Sequence, residues 1–168
     1  MAALGDRQPY TVTLHTVDAN GRSLWSTPIQ GISVSHAADG DRYYFCDGAG
    51  LHAWDAVRGK VLWTVKGKLF SPLLIFADQS VYAQFDEPSE PRLLDGASGA
   101  VRKSGQWAAT CWPASMVLDS AGTIFYTGCD YSLRAFDLAA GRKKWDFLVA
   151  DGRTIFSPII GANGTVFV

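Results

Sequence analysis

The stretch LHAWDAVRGKVLWTV, residues 51–65, decides the fold of this chain. An apolar strand that contains Ala53 runs into Asp55, a turn ends at Gly59, and a second strand carries Trp63. The same phrase returns at residues 133–147 as LRAFDLAAGRKKWDF, and the matching residues there are Ala135, Asp137, Gly141 and Trp145. Two strands joined by a turn therefore form a unit that occurs more than once.

Two incomplete copies of this unit account for much of the remaining chain. A shortened copy retains three of the fixed residues, Asp18, Gly21 and Trp25. Another copy keeps Asp95 and Gly99 but carries Lys103 where the other copies have tryptophan. The turn glycines are therefore spaced about 40 residues apart, and a period of that length with strand-like content is typical of a β-propeller.

Each repeated residue type has a structural reason to recur. Aspartate at the end of a strand can accept hydrogen bonds from amides that follow it, and glycine supplies the positive φ that a tight return often needs. Tryptophan brings a large apolar surface and one N–H donor. A single blade cannot bury both of its faces, so each repeat needs a large residue against its neighbour and a small one, such as Ala53, that permits close approach.

The phrase resembles the PQQ-like (quinoprotein-type) β-propeller repeat, whose blades end in Ala-x-Asp-x-x-x-Gly-x-x-x-Trp. The copies at residues 53–63 and 135–145 match it at every fixed position. The resemblance implies that each tryptophan docks one blade on the next. It also implies functions as different as quinone-dependent dehydrogenase, scaffold lipoprotein of outer-membrane barrel assembly, and sensor domain of a bacterial kinase, because a fold does not determine function.

The turn signals predict an all-β chain of four-stranded antiparallel blades forming one propeller segment. The predicted units are a rear half-blade at 10–27, full blades at 32–65, 71–104 and 111–147, and a front half-blade at 155–168. In the first full blade we expect a strand over Ile32–His36, followed by an AADGD turn. In the second, two prolines between Glu87 and Pro91 predict a protruding loop that does not extend the ladder.

The two half-blades allow two interpretations. Residues 165–168 could pair with residues 10–18 and close a four-bladed ring, which removes the open edges. The alternative is an incomplete segment of a seven- or eight-bladed propeller, as in the family that the repeat resembles. The apolar ending Val166-Phe167-Val168 favours the segment, since terminal repeats normally carry polar caps.

Composition restricts the class of partner. The chain has 168 residues, of which 48% are hydrophobic, which is enough for a sizeable core. Its net charge of -1 and the lack of a basic cluster argue against nucleic acid. No apolar run approaches the ~20 residues of a membrane span, and the opening MAALGDRQPY does not read as a secretion signal. Localisation stays open, although the family resemblance implies the periplasm or the cell exterior.

The cysteines and histidines suggest no metal or redox site. Cys46 and Cys129 fall in nearly the same slot of two different blades, too far apart for a disulfide, so we expect thiols. His15 and His52 share the slot three residues before the turn aspartate, and Arg92 and Arg134 fill it elsewhere. Copies spread over several blades would not converge on one metal ion.

No catalytic motif is present. GxSxG, HExxH and a Gly-rich stretch before Lys-Ser/Thr are all missing. In the resembling dehydrogenases an adjacent cysteine pair covers the quinone, and this chain has no Cys-Cys pair. We therefore expect no catalytic residue, cofactor or metal; PQQ with calcium belongs only to the alternative, a fragment of a quinoprotein dehydrogenase.

A binding surface is the remaining functional candidate. Trp107 and Trp112 lie in a connection between blades, and Glu87 and Glu90 lie in the proline-containing loop. Aromatic and acidic side chains together predict a surface for a protein or polymer ligand. The competing interpretation is that one of the two tryptophans fills the space of the missing docking tryptophan at Lys103. The sequence thus favours a non-catalytic scaffold, with the dehydrogenase fragment and the kinase sensor domain as alternatives.

Overall fold

The chain was analysed as a computed structural model, which describes residues 11–30, 35–69, 72–85, 90–105, 115–127, 130–148 and 157–168. These residues form sixteen strands and no helix. The strands of the first half of the chain are β1 (Thr11–Val17), β2 (Ser23–Gln30), β3 (His36–Asp39), β4 (Arg42–Asp47), β5 (Gly50–Asp55), β6 (Lys60–Lys66), β7 (Leu74–Ile75) and β8 (Ser80–Phe85). Those of the second half are β9 (Glu90–Asp95), β10 (Val101–Ser104), β11 (Met116–Leu118), β12 (Thr123–Thr127), β13 (Ser132–Asp137), β14 (Arg142–Leu148), β15 (Ile159–Ile160) and β16 (Val166–Phe167).

The strands form antiparallel meanders in chain order. Three sheets have four strands each: β3–β6, β7–β10 and β11–β14, which we call blades 1, 2 and 3. Two sheets have two strands: β1–β2, the N-terminal half-blade, and β15–β16, the C-terminal half-blade. Short turns join neighbouring strands because consecutive antiparallel strands need no crossover. The all-β propeller architecture predicted from the repeat is confirmed.

The core consists of separate layers between successive sheets. Blade 1 packs through Phe45 and Trp54 against the N-terminal half-blade, and through Tyr44 and Leu51 on its other face against blade 2. Side chains alternate across a strand, so each inner strand contributes to both layers. Between blades 2 and 3 the layer includes Tyr82. Each blade has two buried faces because the sheets stack one after another.

A bulge recurs beside each docking position. Ala53 pairs with Trp63, but the next pair is Trp54 with Val61, so one residue of β6 is left unpaired. The same shift follows Ala135, which pairs with Trp145 in blade 3. A bulge bends the outer strand and redirects its side chains. The bulge in the outer strand thus helps to position the indole, and the spacing of the repeated residues in the sequence does not reveal this bulge.

Two predicted boundaries in the blades were wrong. β3 begins at His36, where the predicted strand ends, and continues to Asp39 within the segment predicted as a turn, because Gly40 takes a φ of 55° and a two-residue turn joins Asp39 to Arg42. Residues 32–34 of the predicted strand lie outside the described residues. The described part of the proline-containing segment does not protrude: Glu90 and Pro91 belong to β9 and pair with Phe85 and Gln84. β10 ends opposite Arg92, so a missing amide at Pro91 costs little on that side.

The half-blades of one chain do not join. Among the described strands, β1 pairs with β2 and β16 pairs with β15, in two separate sheets. The four-bladed closure considered from the sequence is therefore not the arrangement of this structure.

Candidate functional site

The Trp63 side chain shows how one blade is fastened to the next. Its indole Nε1 donates a hydrogen bond of 3.0 Å to the carbonyl of Gly96, in the turn between β9 and β10. The ring lies on Gly99 so closely that a Cβ there would be 2.8 Å from it. Gly99 has a φ of 73°, so glycine is required both for conformation and for space.

Trp25 repeats this arrangement one blade earlier. Its Nε1 donates to the carbonyl of Ala56 at 2.8 Å, and a Cβ on Gly59 would lie 2.8 Å from its ring. The indole also stacks on Trp54, with ring centroids 5.5 Å apart and planes 15° apart. We call this combination the interblade clip: a donor on the outer strand, and the carbonyl after the turn aspartate together with the turn glycine of the next blade.

The turn aspartates hold the receiving half of each clip in shape. Asp55 accepts hydrogen bonds from the amides of Val57 and Arg58 at 3.0 and 2.7 Å. Asp95 accepts from the amide and the hydroxyl of Ser98, both at 2.8 Å. The hydrogen bond from the Ser98 hydroxyl, followed by that from Arg102, lowers the pKa of Asp95 to about 2. A fixed turn directs the next carbonyl at the neighbouring blade.

Lys103 performs the donor role of the absent tryptophan. Its Nζ donates to the carbonyls of Leu138 and Ala139, both at 3.3 Å, and Leu138 follows the turn aspartate of blade 3. A cavity of 250 Å³ lies beside Lys103 and Leu93. Opposite Lys103, Leu93 stands in the place of the small alanine. Blade 2 thus pairs the larger Leu93 with the slimmer Lys103, where blades 1 and 3 pair alanine with tryptophan.

Among the described residues, no turn glycine lies against the Trp145 indole. Trp145 keeps 39% of its surface exposed and has a tilted contact with Phe125, with ring centroids 5.7 Å apart. Around it, a cleft of 680 Å³ opens between blade 3 and the C-terminal half-blade, where Val166 forms part of the lining. At the other end of the chain, a Cβ on Gly21 would meet nothing within 4 Å. Within the described residues, neither Trp145 nor Gly21 takes part in a clip.

A second polar pattern lies at the end of the propeller opposite the clip turns. The His52 imidazole Nε2 lies 2.9 Å from Asp47 Oδ1, and its Nδ1 lies 3.0 Å from the Thr64 hydroxyl. In blade 3 the equivalent residue, Arg134, forms an ion pair with Asp130. The sequence marked the basic slot but not its acidic partners, which depend on the turn between the second and third strands of each blade.

Blade 2 carries the corresponding pair in a looser form. Arg92 Nη2 lies 3.6 Å from Glu90 Oε2, and the guanidinium carbon lies 4.4 Å above the Phe85 ring. Such a cation–π contact restricts the side chain even when the ion pair is weak. We call this surface, with its two arginine–carboxylate pairs and the His52–Asp47 hydrogen bond, the ion-pair end. The three basic residues bind acids of their own blades and are not brought to one point.

Most of the predicted interaction surface lies outside the described residues. This holds for Trp107, Trp112 and Glu87. Two further cysteines that we expect to be thiols, Cys111 and Cys129, also lie outside the described residues. Glu90 is described and belongs to the ion-pair end. Cys46 is a buried thiol whose Sγ lies 3.6 Å from the Ser35 carbonyl.

In the part of the chain that the structure describes, no group of three or more His, Cys, Asp or Glu residues could hold a metal ion. Nor does this part contain a helix with the length and apolar character needed to cross a membrane.

Comparison with known proteins places these geometric features in a family. A family model described as outer membrane protein assembly factor BamB matches residues 11–168. The crystal structure of BamB from Moraxella catarrhalis is 23% identical with a TM-score of 0.66, covering 89% of this chain and 47% of that one. The WD40 propeller domain of Doa1 is 15% identical with a TM-score of 0.68, covering 87% and 50%. No curated protein matches in sequence. The chain spans about half the length of these solved structures.

Proposed function

This chain belongs to the family of the outer membrane protein assembly factor BamB, and from that premise we propose that it is a non-catalytic scaffold that binds a protein partner. The repeated residues support a scaffold because the clips use them for packing. Trp25 and Trp63 each donate their single N–H to a carbonyl of the neighbouring blade. Function then depends on the surfaces that the clips hold in place.

The observation that carries the proposal is the ion-pair end. The side chains of His52 and Asp47 are only 12% and 6% exposed, so the pair is held in position before any partner arrives. Side chains fixed in advance lose less conformational entropy on binding. Alternating basic and acidic groups favour a polypeptide of complementary charge pattern, since electrostatic complementarity mainly provides specificity.

We further propose that the work of this scaffold is the assembly of outer membrane proteins and that it is done in the periplasm. The family description supplies the process, and the proposed partner is therefore a protein of the bacterial envelope. An exposed aromatic residue beside the ion-pair end, Tyr131, is 44% exposed and adjoins Asp130. Aromatic side chains at such positions commonly anchor protein interfaces.

Site-specific photocrosslinking tests this proposal. The chain is directed to the periplasm, with the photoreactive residue p-benzoylphenylalanine in place of Tyr131 in one variant and of Val57 in a matched control. Val57 is 63% exposed but lies in a clip turn at the opposite end. We expect an envelope protein to crosslink at position 131 and not at position 57. No crosslink at 131, or equal crosslinking at both positions, would contradict the proposal.

Binding of the partner should depend on the ion pairs. Arg134→Gln removes the positive charge that faces Asp130 while keeping a hydrogen-bonding side chain. Arg58→Gln, in a clip turn, is the control, because Arg58 is exposed and pairs with Asp55. We expect the first variant to weaken crosslinking at Tyr131 several-fold and the second to leave it unchanged.

We propose that no quinone cofactor is required. PQQ with calcium is therefore expected to cause no saturable quenching of tryptophan fluorescence. Saturable quenching by PQQ at micromolar concentration, lost when calcium is chelated, would instead support the dehydrogenase alternative.

A further inference from the structure

The lysines of the chain are confined to the outer edges of the blades. All of them lie on, or two residues beyond, the last strand of a four-stranded sheet: Lys60, Lys66, Lys68, Lys103, Lys143 and Lys144. The strands β6, β10 and β14 carry seven basic residues and a single acidic one, Asp146. The whole chain has 15 basic and 16 acidic residues. Positive charge is therefore concentrated at these edges, although the strands that carry it are about forty residues apart in sequence.

The charge on blade 1 is not neutralised by neighbouring groups. In the other two blades, Arg102 and Lys143 form ion pairs with aspartates of their own sheets. In blade 1, Lys60, Lys66 and Lys68 are exposed and form no ion pair with a described residue. The edge of blade 1 therefore presents three uncompensated positive charges within nine residues.

Exposed aliphatic side chains lie among these lysines. Val61 and Leu62 in β6 are 50% and 48% exposed, and Val101 in β10 is 51% exposed. Blades 1 and 2 each have a sheet packed on both faces, so the absence of a neighbouring sheet does not cause this exposure. We call the resulting surface the basic rim, and its members are Lys60, Val61, Leu62, Lys66, Lys68 and Val101.

We propose that the basic rim binds the surface of a membrane that contains anionic phospholipid. Each lysine near such a surface is attracted by the negative headgroups. Aliphatic side chains between the lysines can enter the boundary between headgroups and acyl chains, while the ammonium groups stay in water at the end of their flexible stems. Charge and apolar surface then act together at one contact, which lies along the membrane and does not span it.

The composition of the basic rim favours lipid over a protein partner. Protein interfaces are enriched in aromatic residues and arginine and are depleted in lysine, and the rim has no aromatic residue and no arginine. Addition of a strand to β6 is also disfavoured, because Leu62 is the unpaired residue of the bulge and a bulge bends the edge.

The same composition argues against nucleic acid. A phosphate backbone would attract the three lysines, but single strands are held by stacking of bases on aromatic rings. Val61, Leu62 and Val101 cannot supply such stacking. Half-exposed aliphatic side chains gain most from an acyl layer, which only the lipid provides.

Lipid binding is independent of the protein partner proposed above. None of the six rim residues forms one of the contacts of the ion-pair end, which involve His52, Arg92 and Arg134. A membrane could therefore hold the chain by its edge while the ion-pair end stays accessible. Vesicle binding needs only the purified chain, so its failure would leave the crosslinking result at Tyr131 unaffected.

Cosedimentation with vesicles gives the first test. The chain is mixed with vesicles of phosphatidylcholine and phosphatidylglycerol, or of phosphatidylcholine alone. We expect binding to the anionic vesicles only, weakened at least about tenfold when salt rises from about 0.1 M to about 0.5 M, since salt screens exposed charges. Absence of binding to the anionic vesicles, or equal binding to both kinds, would overturn the proposal.

Charge variants test whether the rim is the contact. The triple variant Lys60→Gln, Lys66→Gln and Lys68→Gln should bind the anionic vesicles at least about tenfold more weakly, because each lysine contributes about fivefold near such a surface. The matched control replaces the same three lysines with arginine and should bind as the wild type does. Circular dichroism verifies that both variants are folded. Unchanged affinity in the glutamine variant, or an equal loss in both, would count against the rim.

An apolar variant and a competitor distinguish lipid from other polyanions. Leu62→Gln should weaken vesicle binding several-fold without a change of charge, whereas Leu62→Met keeps an apolar side chain and should have no effect. Duplex DNA at the same phosphate concentration should not displace the chain from the vesicles. Displacement by DNA, or equal affinities of the two Leu62 variants, would show a site for negative charge alone and would overturn the proposal.

Discussion

The Lys103 ammonium lies 3.3 Å from the Leu138 carbonyl, at the site where the other interfaces have an indole donor. Trp25 and Trp63 donate to the equivalent carbonyls, those of Ala56 and Gly96. A flexible ammonium satisfies the same acceptor as a rigid ring but buries far less apolar surface. The interface between blades 2 and 3 thus keeps the hydrogen bond of the clip and leaves a cavity beside it.

This relationship makes a prediction about Lys103 and Leu93 as a pair. Lys103→Trp alone should crowd Leu93 and be neutral or destabilising, because the intact clips place tryptophan opposite alanine. Lys103→Trp combined with Leu93→Ala should restore the clip. We expect a favourable coupling free energy of about 1–2 kcal/mol in a double-mutant cycle measured by urea unfolding. Additive effects of the two substitutions would contradict the size compensation.

Loss of the donor alone gives a separate prediction. Lys103→Ala should reduce the free energy of unfolding by about 1 kcal/mol, because two carbonyls at 3.3 Å lose a charged donor. An effect below ~0.5 kcal/mol, typical of ordinary surface positions, would show that the ammonium contributes nothing. Lys144→Ala is an unsuitable control because it also donates, to Thr123; Lys60→Ala at an exposed position is preferable.

The two tryptophans of the intact repeats should differ in their contributions. Trp63→Ala removes a clip and a half-buried ring, and we expect a loss of about 3 kcal/mol in the free energy of unfolding. Trp145→Ala should cost about half as much, because that ring is 39% exposed. Thermal and urea unfolding measure both. Equal losses would contradict the clip assigned to Trp63.

The turn glycines permit a matched comparison of conformation and contact. Gly99→Ala places a Cβ 2.8 Å from the Trp63 ring at a φ of 73°, whereas Gly122→Ala at 82° meets nothing within 4 Å. Both variants carry the cost of positive φ, about 1–2 kcal/mol. Displacement of the indole should make Gly99→Ala the more destabilising by at least ~1 kcal/mol. Similar losses in differential scanning calorimetry would show that the ring adjusts freely.

Acid should weaken the clip turn of blade 2 over a defined pH window. The pKa of Asp95 is about 2 when folded and 3.8 ordinarily, so the folded state gains stability above pH ~4 and loses it as pH falls towards ~2. Ser98→Ala should raise the pKa of Asp95, because the Ser98 hydroxyl is its first contributor. Carbon-13 NMR titration of the carboxyl measures this, with exposed Ser120→Ala as the control. An unchanged pKa in Ser98→Ala would contradict the assigned cause.

The sequence predicted the blades because their requirements are local. A tight turn needs glycine, its amides need an acceptor such as Asp55, and a neighbouring sheet needs a large ring such as Trp63. The residues that meet these requirements lie within about ten positions of one another, so the sequence shows them as one pattern. Strand boundaries around Gly40 and Pro91 were missed, since they depend on turn geometry and on where a neighbouring strand ends.

Contacts between residues that are far apart in the sequence were much harder to predict. Lys103 reaches a carbonyl 35 residues away, and nothing in its own neighbourhood signals that contact. The bulge beside Ala53 and the acid that faces Arg134 depend on pairing between strands, which composition does not encode. The sequence therefore predicted that the chain has a binding surface, but only the structure identified the basic–acidic pairs on it.

The clip has a direction, and this has a consequence for how such chains grow. Each blade offers a donor to its successor and an acceptor to its predecessor, as Trp63 and Ala56 do for blade 1. An added forty-residue unit inherits both roles at once, because it carries its own receiving turn and its own outer-strand donor. Like units can therefore follow one another in a longer array, each fastened to the next by the same contact.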